Sequence, residues 1–335
     1  MNKLLKIILF FIGIIALAIV GILTYVKIGL PHIGKAQDLK IEYSKARIER
    51  GKYLATSVML CMDCHSQRDY TKFAAPVKAG TFGKGGELFG KEMGFPGEFY
   101  APNLTPYALD HWTDGELFRA ITTGVSKDGR ALFPVMPYHG FGTSDPEDIY
   151  SVIAYIRTLE PIPYDAPPSS PEFPMNFIIN TIPREASFTP KPPREDLIAY
   201  GKYLVNAASC SDCHTKQEDG KPVESLYLAG GVEFKFPDGT VVRSMNITPD
   251  TETGIGKWTA EQFVKKFKMY GDSTFVPHDL KPGDFKTVMP WTFYGTMEEA
   301  DLNAIFAYLQ TVNPVQQKVT RFENLPSPTQ QAMSR

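Results

Sequence analysis

The N-terminal part of the chain carries an unbroken apolar run. Residues 7–26 contain no charged side chain and are flanked by Lys6 and Lys27. A helix of this length rises about 1.5 Å per residue and would span roughly 30 Å, the hydrocarbon thickness of a bilayer. We therefore predict one N-terminal transmembrane helix within residues 1–30. A cleavable signal peptide is the alternative, but such peptides have a shorter apolar region and end at small residues, which Tyr25–Ile28 lacks.

Further along the chain, apolar residues recur twice at the i, i+3, i+4, i+7 spacing that marks one face of a helix. The first set is Ile149, Val152, Ile153 and Ile156, and the second is Leu302, Ile305, Phe306 and Leu309. Glu298 and Glu299 suit the first turn of the second helix because acidic side chains favour the positive end of the helix dipole. Another short helix is predicted over residues 199–206. The Gly- and Pro-rich segments between these helices predict long irregular loops.

The two helices belong to a larger internal repeat, in which six landmarks recur in the same order. They are Gly-Lys-Tyr-Leu at 51 and 201, Cys-x-x-Cys-His at 61 and 210, Asn-(Leu/Ile)-Thr-Pro at 103 and 246, Trp-Thr at 112 and 258, Val-Met-Pro at 135 and 288, and the Ala-Tyr helix at 154 and 307. We call residues 44–160 the first repeat and residues 195–320 the second repeat, and we expect each to be one domain. Residues 321–335 are expected to be a tail.

Residues 161–194 separate the two repeats, and we call this segment the strap. It holds ten prolines, which fix φ and remove hydrogen-bond donors, so an extended path is expected. A flexible linker would be polar, whereas residues 173–179 are largely apolar. The strap is therefore predicted to lie against one or both domains. The alternative is a short helix or strand that acts only as a spacer.

The two Cys-x-x-Cys-His motifs carry the chemistry. This spacing is typical of c-type haem attachment, in which both thiols bond to the haem vinyl groups and the histidine ligates the iron. The motifs use all four cysteines of the chain: Cys61, Cys64, Cys210 and Cys213. His65 and His214 are the predicted iron ligands, and two covalently bound c-type haems are the predicted cofactors.

The sequence disfavours two other roles for the cysteines, a redox disulfide and a shared zinc site. A redox disulfide is typical of thioredoxin-like βαβ units, whose pattern is absent from this sequence. A single zinc ion held by both pairs would need much shorter spacing than the 149 residues that separate them. Haem attachment is therefore favoured, and it places the domains outside the cytoplasm, in the periplasm or at the cell exterior, because haem is attached there.

Met136 and Met289 are the predicted sixth ligands of the two irons. Each lies in a Val-Met-Pro sequence, 71 residues after His65 and 75 residues after His214. A His/Met pair fills both axial positions and suits electron transfer. Histidine is the rival ligand at His111, His139 and His278, but we interpret these as loop residues because the repeat does not pair them.

Two further pairs of equivalent residues, one of tryptophans and one of asparagines, have predicted roles near the haem. Trp112 and Trp258 are predicted to pack on the haem and to donate their indole N–H groups to a propionate, the alternative being an ordinary core position. Asn103 and Asn246 precede Thr-Pro and are predicted to fix a loop at the haem edge rather than to bind metal.

Composition sharpens this picture in three ways. The chain has 335 residues, 35 basic and 37 acidic, and its net charge of −2 argues against nucleic-acid binding. With 43% hydrophobic and 21% charged residues, wholesale disorder is excluded. Four cysteines are too few for a disulfide scaffold. The expected fold class is mainly α, with two tandem haem-bearing domains, long loops and one N-terminal transmembrane helix.

The repeated landmarks together resemble class I c-type cytochromes. More narrowly, residues 251–259 and 173–176 are similar to the cytochrome c subunits of bacterial membrane-bound alcohol and gluconate dehydrogenases. The resemblance covers roughly residues 45–320 and implies two tandem cytochrome c-like domains. Those subunits typically carry three haem motifs, whereas this chain has two.

The leading functional expectation is an electron carrier rather than an enzyme. Electrons would pass from a periplasmic donor, a dehydrogenase or respiratory complex, to a soluble cytochrome, a quinone-linked complex or a terminal oxidase. A dihaem peroxidase of bacterial type is the runner-up, although it needs one open or displaceable iron position. A ligand sensor or a subunit that tethers a larger complex is a third alternative.

Overall fold

The computed structural model describes residues 2–218, 220–236 and 238–324. The helices are α1 Lys3–Thr24, α2 Lys45–Tyr53, α3 Cys61–Cys64, α4 Pro106–Leu109, α5 Asp114–Thr123, α6 Tyr138–Phe141, α7 Pro146–Ile156, α8 Met175–Ile178, α9 Leu197–Ala207, α10 Cys210–His214, α11 Ala260–Gly271, α12 Trp291–Tyr294 and α13 Glu299–Leu309. The strands are β1 Leu88–Phe89, β2 Gly97–Tyr100, β3 Ser170–Pro171, β4 Gln217–Glu218, β5 Lys221–Pro222, β6 Glu233–Lys235, β7 Thr240–Arg243 and β8 Phe322–Asn324.

The apolar N-terminal run forms a helix, as predicted. Helix α1 continues into a π-helical turn, Tyr25–Gly29, so the helical segment extends over 27 residues and has no buried residue. An 18-residue stretch within it has a mean hydropathy of 3.0. Among the described residues it is the helix long and apolar enough to cross a membrane. Membrane anchor and signal sequence both remain compatible with it.

The predicted helical faces are confirmed. The four apolar positions of α7 are at most 3% exposed, and those of α13 are at most 9% exposed. Helix α9 extends the prediction for residues 199–206 by a few residues at its N-terminal end. Most buried apolar residues of both repeats form one continuous hydrophobic core, and a smaller separate cluster surrounds Phe89 and Phe99.

Each repeat is built on two helices that cross at a glycine of the Gly-Lys-Tyr-Leu landmark. Helix α2 packs against α7, and α9 packs against α13. A Cβ atom at Gly51 would stand 1.7 Å from the Ser151 carbonyl oxygen, and one at Gly201 would stand 1.9 Å from that of Ala304. Only glycine therefore allows the two backbones to approach this closely.

The tyrosines of the same landmark join the repeats to each other. The Tyr53 hydroxyl donates to Asp301 at 2.7 Å, and the Tyr203 hydroxyl donates to Asp148 at 2.7 Å. Each tyrosine oxygen also accepts a backbone N–H, from Glu298 at 3.1 Å and from Asp145 at 3.3 Å. The two repeats thus exchange matching hydrogen bonds between the first helix of one and the last helix of the other.

The carboxylates at this junction are buried, and each has cationic partners. Asp148 is 1% exposed and pairs with Arg50 at 2.7 Å and Lys191 at 3.2 Å. Asp301 is fully buried and pairs with Arg194 at 3.3 Å. Burial raises the pKa of Asp301 more than its partners lower it, whereas at Asp148 hydrogen bonding and the Arg50 charge outweigh burial and hold the pKa below its usual range.

The strap departs from the extended path expected of it. Strand β3 is extended and pairs with β2, but residues 175–181 form helix α8 and a following 3₁₀ turn. The expectation was wrong there because three consecutive apolar side chains, Phe177 to Ile179, can be placed on a helix that buries Ile179 against the first repeat. Backbone bonds from Ser187 and Thr189 to residues 142 and 143 hold the strap on that repeat. The predicted packing of the strap is confirmed.

The segments expected to be irregular loops contain small antiparallel sheets. Strands β1, β2 and β3 form one sheet, β4 and β5 a hairpin, and β6, β7 and β8 a third sheet. Strand β8 pairs Phe322 with Val242, so the expected tail, 321–335, begins as a sheet edge rather than as a free segment. Residues 325–335 of that tail lie outside the described residues.

The helix crossings yield a stability prediction. Gly51→Ala and Gly201→Ala should each lower the free energy of unfolding by about 3 kcal/mol, because the added methyl group forces the helices apart. Denaturant unfolding followed by circular dichroism measures the change. Lys52→Ala and Lys202→Ala are the matched controls, since both lysines are exposed on the same helices. A glycine variant as stable as its lysine control would contradict the assigned close contact.

Candidate haem-binding sites

Both Cys-x-x-Cys-His motifs have the same backbone conformation. Each follows a left-handed residue, Leu60 with φ 55° or Ser209 with φ 53°, and continues into a single helical turn. Left-handed non-glycine residues are uncommon, so their recurrence at the same position marks a repeated local structure. The two cysteines of each motif are not joined to each other by a disulfide.

The two histidines are oriented in the same way. His65 Nδ1 lies 2.8 Å from the Pro102 carbonyl oxygen, and His214 Nδ1 lies 2.7 Å from that of Met245. An Nδ1–H that donates to a carbonyl leaves the Nε2 lone pair available, the arrangement that metal-ligating histidines adopt. Among the described residues neither Nε2 makes a hydrogen bond. Burial lowers the pKa of both imidazoles, which keeps them neutral and able to ligate.

The two methionines lie in loops of matching geometry. The Met136 carbonyl accepts the Tyr138 N–H at 2.7 Å, and the Met289 carbonyl accepts the Trp291 N–H at 2.8 Å. The intervening prolines, with φ of −78° and −79°, precede the one-turn helices α6 and α12. Both methionines are half-buried and pack against the core that Cys61 and Cys210 also contact.

The donor set in each repeat fits a covalently attached haem, and comparison with known proteins agrees. Residues 198–313 match the cytochrome c family model. The chain contains a cytochrome c domain. Such a domain implies covalently bound haem c, and the predicted attachment residues Cys210, Cys213 and His214 lie within the matched range.

Known cytochromes resemble the chain well beyond that domain. It is 28% identical over 286 residues to the alcohol dehydrogenase (quinone) cytochrome c subunit of Gluconacetobacter polyoxogenes, covering 81% of this chain and 57% of that protein. It is 30% identical over 301 residues to the fructose dehydrogenase cytochrome subunit of Gluconobacter japonicus, covering 84% and 56%. A diheme cytochrome c-type protein of Cereibacter sphaeroides is 27% identical over 278 residues, covering 76% and 83%.

These comparisons confirm the resemblance to cytochrome c subunits of dehydrogenases. The chain spans less than two thirds of the length of the alcohol and fructose dehydrogenase subunits that it matches. It spans most of the diheme protein, which agrees with two haem motifs in this sequence.

The cysteines of the cytochrome motifs lie in surroundings that keep them protonated. Burial raises the pKa of Cys61, Cys64 and Cys210 to about 12 and that of Cys213 to about 11. Among the described residues, no three Cys, His, Asp or Glu side chains cluster as a metal site. A single shared zinc ion would require the cysteine pairs of the two repeats to lie together, and they do not.

The predicted loop-fixing role of the two asparagines is confirmed. Asn103 Nδ2 donates to the carbonyls of Ile162 and Tyr164, both at 2.9 Å, and Asn246 Nδ2 donates to Val315 at 2.7 Å and to Thr253 at 3.0 Å. Each Oδ1 accepts from the backbone and hydroxyl of the threonine two residues on. Each asparagine therefore fixes the loop in which the preceding residue, Pro102 or Met245, places its carbonyl oxygen against the histidine Nδ1.

The tryptophans differ in their surroundings. Trp112 is half-buried against the core and lies beneath Lys127, whose Nζ is 5.6 Å from the ring centroid. Trp258 is 39% exposed and lines a surface groove along α11. Haem contact by the two indoles stays a prediction.

Of the three rival histidines, His111 and His278 occupy turn and loop positions, as expected, whereas His139 lies in the one-turn helix α6. His139 Nε2 lies 3.2 Å from the Ile182 carbonyl oxygen, and the His278 ring stacks on Phe73 at 5.1 Å. His111 is exposed.

One feature of the first repeat was missed in the sequence. Arg68 is buried and pairs with Asp63 at 3.3 Å and Glu87 at 3.1 Å, immediately after the Cys-x-x-Cys-His motif. Tyr70 also donates to Glu87. The only available signal was an arginine three residues after His65, where the second repeat has Gln217.

The two asparagines yield a graded prediction. Asn103→Asp should destabilise the protein by about 2–3 kcal/mol, because a carboxylate cannot donate to two buried carbonyls. Asn246→Asp should cost less, because only one carbonyl, Val315, loses its side-chain donor there instead of two. Thermal unfolding of the two variants gives the comparison. Equal losses would contradict the assigned difference between the two loops.

Proposed function

We propose that the chain is a dihaem electron-transfer cytochrome. Two covalent haems would each be held by a cysteine pair and ligated by His65 with Met136 or by His214 with Met289. The observation that carries the proposal is the matching geometry of the repeats: histidines with Nε2 unpartnered and methionine loops with the same hydrogen bond.

The ligand set determines what the sites can do. When bound, a haem supplies an iron that alternates between the ferric and ferrous states. A histidine on one side and a methionine on the other leave no open position for a substrate, and this ligation gives a relatively high potential. The chain's residues therefore favour electron transfer over catalysis. A peroxidase would need one of the two methionine loops to release its ligand.

The junction between the repeats supports transfer between the two sites. Matching Tyr–Asp hydrogen bonds and a continuous hydrophobic core hold the repeats together. A rigid junction keeps the distance between two bound haems constant. Electrons can then pass between them without a domain motion.

The N-terminal helix supports membrane attachment. Its 27-residue, largely apolar helical segment is long enough to cross a bilayer, and none of its residues is buried in the described structure. Retained as an anchor, it would tether both repeats at the membrane surface. Because haem is attached covalently outside the cytoplasm, the repeats would face the periplasm or the cell exterior.

The donor is proposed to be a dehydrogenase. The relatives are named as cytochrome subunits of alcohol, fructose and gluconate dehydrogenases. By analogy, this chain would accept electrons from a dehydrogenase catalytic subunit. It would pass them to a soluble cytochrome, a quinone-linked complex or a terminal oxidase.

Spectroscopy of methionine variants tests the proposal. Met136→Ala and Met289→Ala should each remove about half of the iron–methionine charge-transfer absorption of the oxidised protein, because each opens one of two irons. Each variant should also lower the potential of one haem in a redox titration.

Met93→Ala is the control, since Met93 lies in a 3₁₀ turn outside both ligand loops and should leave the band intact. An unchanged band in a ligand variant would show that the methionine was misassigned. A high-spin haem in the wild-type protein, together with turnover of hydrogen peroxide, would replace the carrier with a peroxidase.

A further inference from the structure

Helices α5 and α11 are equivalent in the two repeats. Each begins at the threonine of the Trp-Thr landmark, and each has a capping box, Thr113 with Glu116 or Thr259 with Gln262. The two helices are nevertheless covered differently.

The outer face of α5 is covered by other parts of the chain. A Cβ atom at Gly115 would stand 1.7 Å from the Gln37 carbonyl oxygen, and Tyr43 donates to Asp114 at 2.6 Å. From the strap, the Phe188 ring packs on Phe118 at 5.3 Å. The segment before the first repeat and the end of the strap thus pack on this helix together.

One face of α11, which includes Gln262, Lys265 and Met269, is open. It forms a groove of about 480 Å³ lined by Lys257, Trp258, Gln262, Lys265, Lys266 and Met269. Trp258 is 39% exposed and Met269 is 51% exposed. Exposed tryptophan and methionine beside charged side chains are typical of the centre and rim of a protein interface.

The groove is rich in positive charge, whereas the start of helix α5 is acidic. Residues 257–269 include four lysines and one glutamate, whereas α5 begins with Asp114 and Glu116. Lys257 pairs with Glu252 at 2.8 Å, whereas Lys265 and Lys266 form no ion pair among the described residues. This concentrated positive charge lies in a chain whose net charge is −2, and it complements an acidic surface.

The groove also lies close to a predicted iron ligand. Trp291, two residues after Met289, packs on Phe267 at 5.3 Å and on Tyr270 at 4.9 Å, both from α11. Lys266 Nζ lies 5.5 Å from the same indole ring. Helix α11 is therefore the layer between the groove and the methionine loop of the second repeat.

We propose that this groove docks an acidic surface of a protein redox partner, so that electrons enter or leave through the second repeat. The proposal rests on the proposed electron-transfer function. A protein fits better than a lipid surface because the N-terminal helix ends on the strap, where Lys27 donates to the Asn176 carbonyl, and the strap lies along the first repeat.

Charge reversal in the full-length holoprotein tests the docking surface. The variant Lys257→Glu/Lys265→Glu removes two exposed groove lysines, and Lys52→Glu/Lys202→Glu makes the same charge change outside the groove. The probe is fluorescently labelled poly-L-glutamate, an acidic polypeptide, with binding measured by anisotropy. The wild type should bind with an affinity that falls steeply with salt, and the groove variant should bind about tenfold more weakly.

Oxidation rates with small charged oxidants test the electrostatic potential around the second repeat. Oxidation of the reduced protein by ferricyanide, an anion, should slow several-fold in the groove variant, and oxidation by tris(phenanthroline)cobalt(III), a cation, should accelerate. The control variant should leave the ratio of the two rates unchanged.

Three outcomes would overturn the proposal: equal poly-L-glutamate binding by wild type and groove variant, an equal loss in the control variant, or groove-dependent binding to phosphatidylglycerol vesicles without binding to poly-L-glutamate. The proposed function is checked separately by the spectra. Normal low-spin spectra with unaltered binding would reject only the docking surface, whereas high-spin wild-type spectra would reject the electron-carrier function.

Discussion

The close crossing of two helices at a glycine is the constraint on which each repeat depends. Gly51 and Gly201 allow α2 and α9 to approach the backbones of α7 and α13 more closely than any side chain would permit. The Cys-x-x-Cys-His turn follows directly from the first helix of each pair, and the methionine loop precedes the second. The crossing therefore fixes the relative positions of the two chain segments that carry the proposed iron ligands. Sequence between them can vary in length and structure without moving these segments.

The Gly-Lys-Tyr-Leu landmark that provides the crossing glycine also provides the tyrosine of the junction between repeats. Tyr53 and Tyr203 come two residues after the crossing glycines and reach across to Asp301 and Asp148. A buried carboxylate is costly unless it is hydrogen-bonded and paired, and both aspartates have a tyrosine and an arginine as partners. The junction is thus specified by polar groups in an otherwise apolar core. Such groups disfavour alternative arrangements of the two repeats, because sliding one repeat along the other would leave a buried carboxylate without its partners.

The sequence predicted those features that recur or that follow from a periodic pattern. Helices α7 and α13 were predictable because four apolar residues in each fall on one face, and the proposed ligand residues were selected because the repeat pairs them. The Tyr–Asp bonds could not be predicted, because a tyrosine and an aspartate 248 residues apart leave no local signal. Helix α8 was missed because ten prolines in the strap argued for an extended path, whereas tertiary packing of Ile179 favoured a helix between them. The short strands depend on partners elsewhere in the chain, as β8 does on β7.

The differences between the repeats carry information that their similarity does not. Glycine, asparagine, histidine and methionine recur because they build the same local framework, which we propose binds haem. The first repeat adds a buried Arg68 cluster beside its cysteines and is covered by the strap and the segment before it. The second repeat has neither, and its α11 presents lysines and a tryptophan to solvent. A repeat enclosed by its own chain is suited to a fixed position near the N-terminal helix, whereas a repeat with an open basic face is suited to exchange with a separate partner. Two copies of one framework thereby acquire different roles through what covers them.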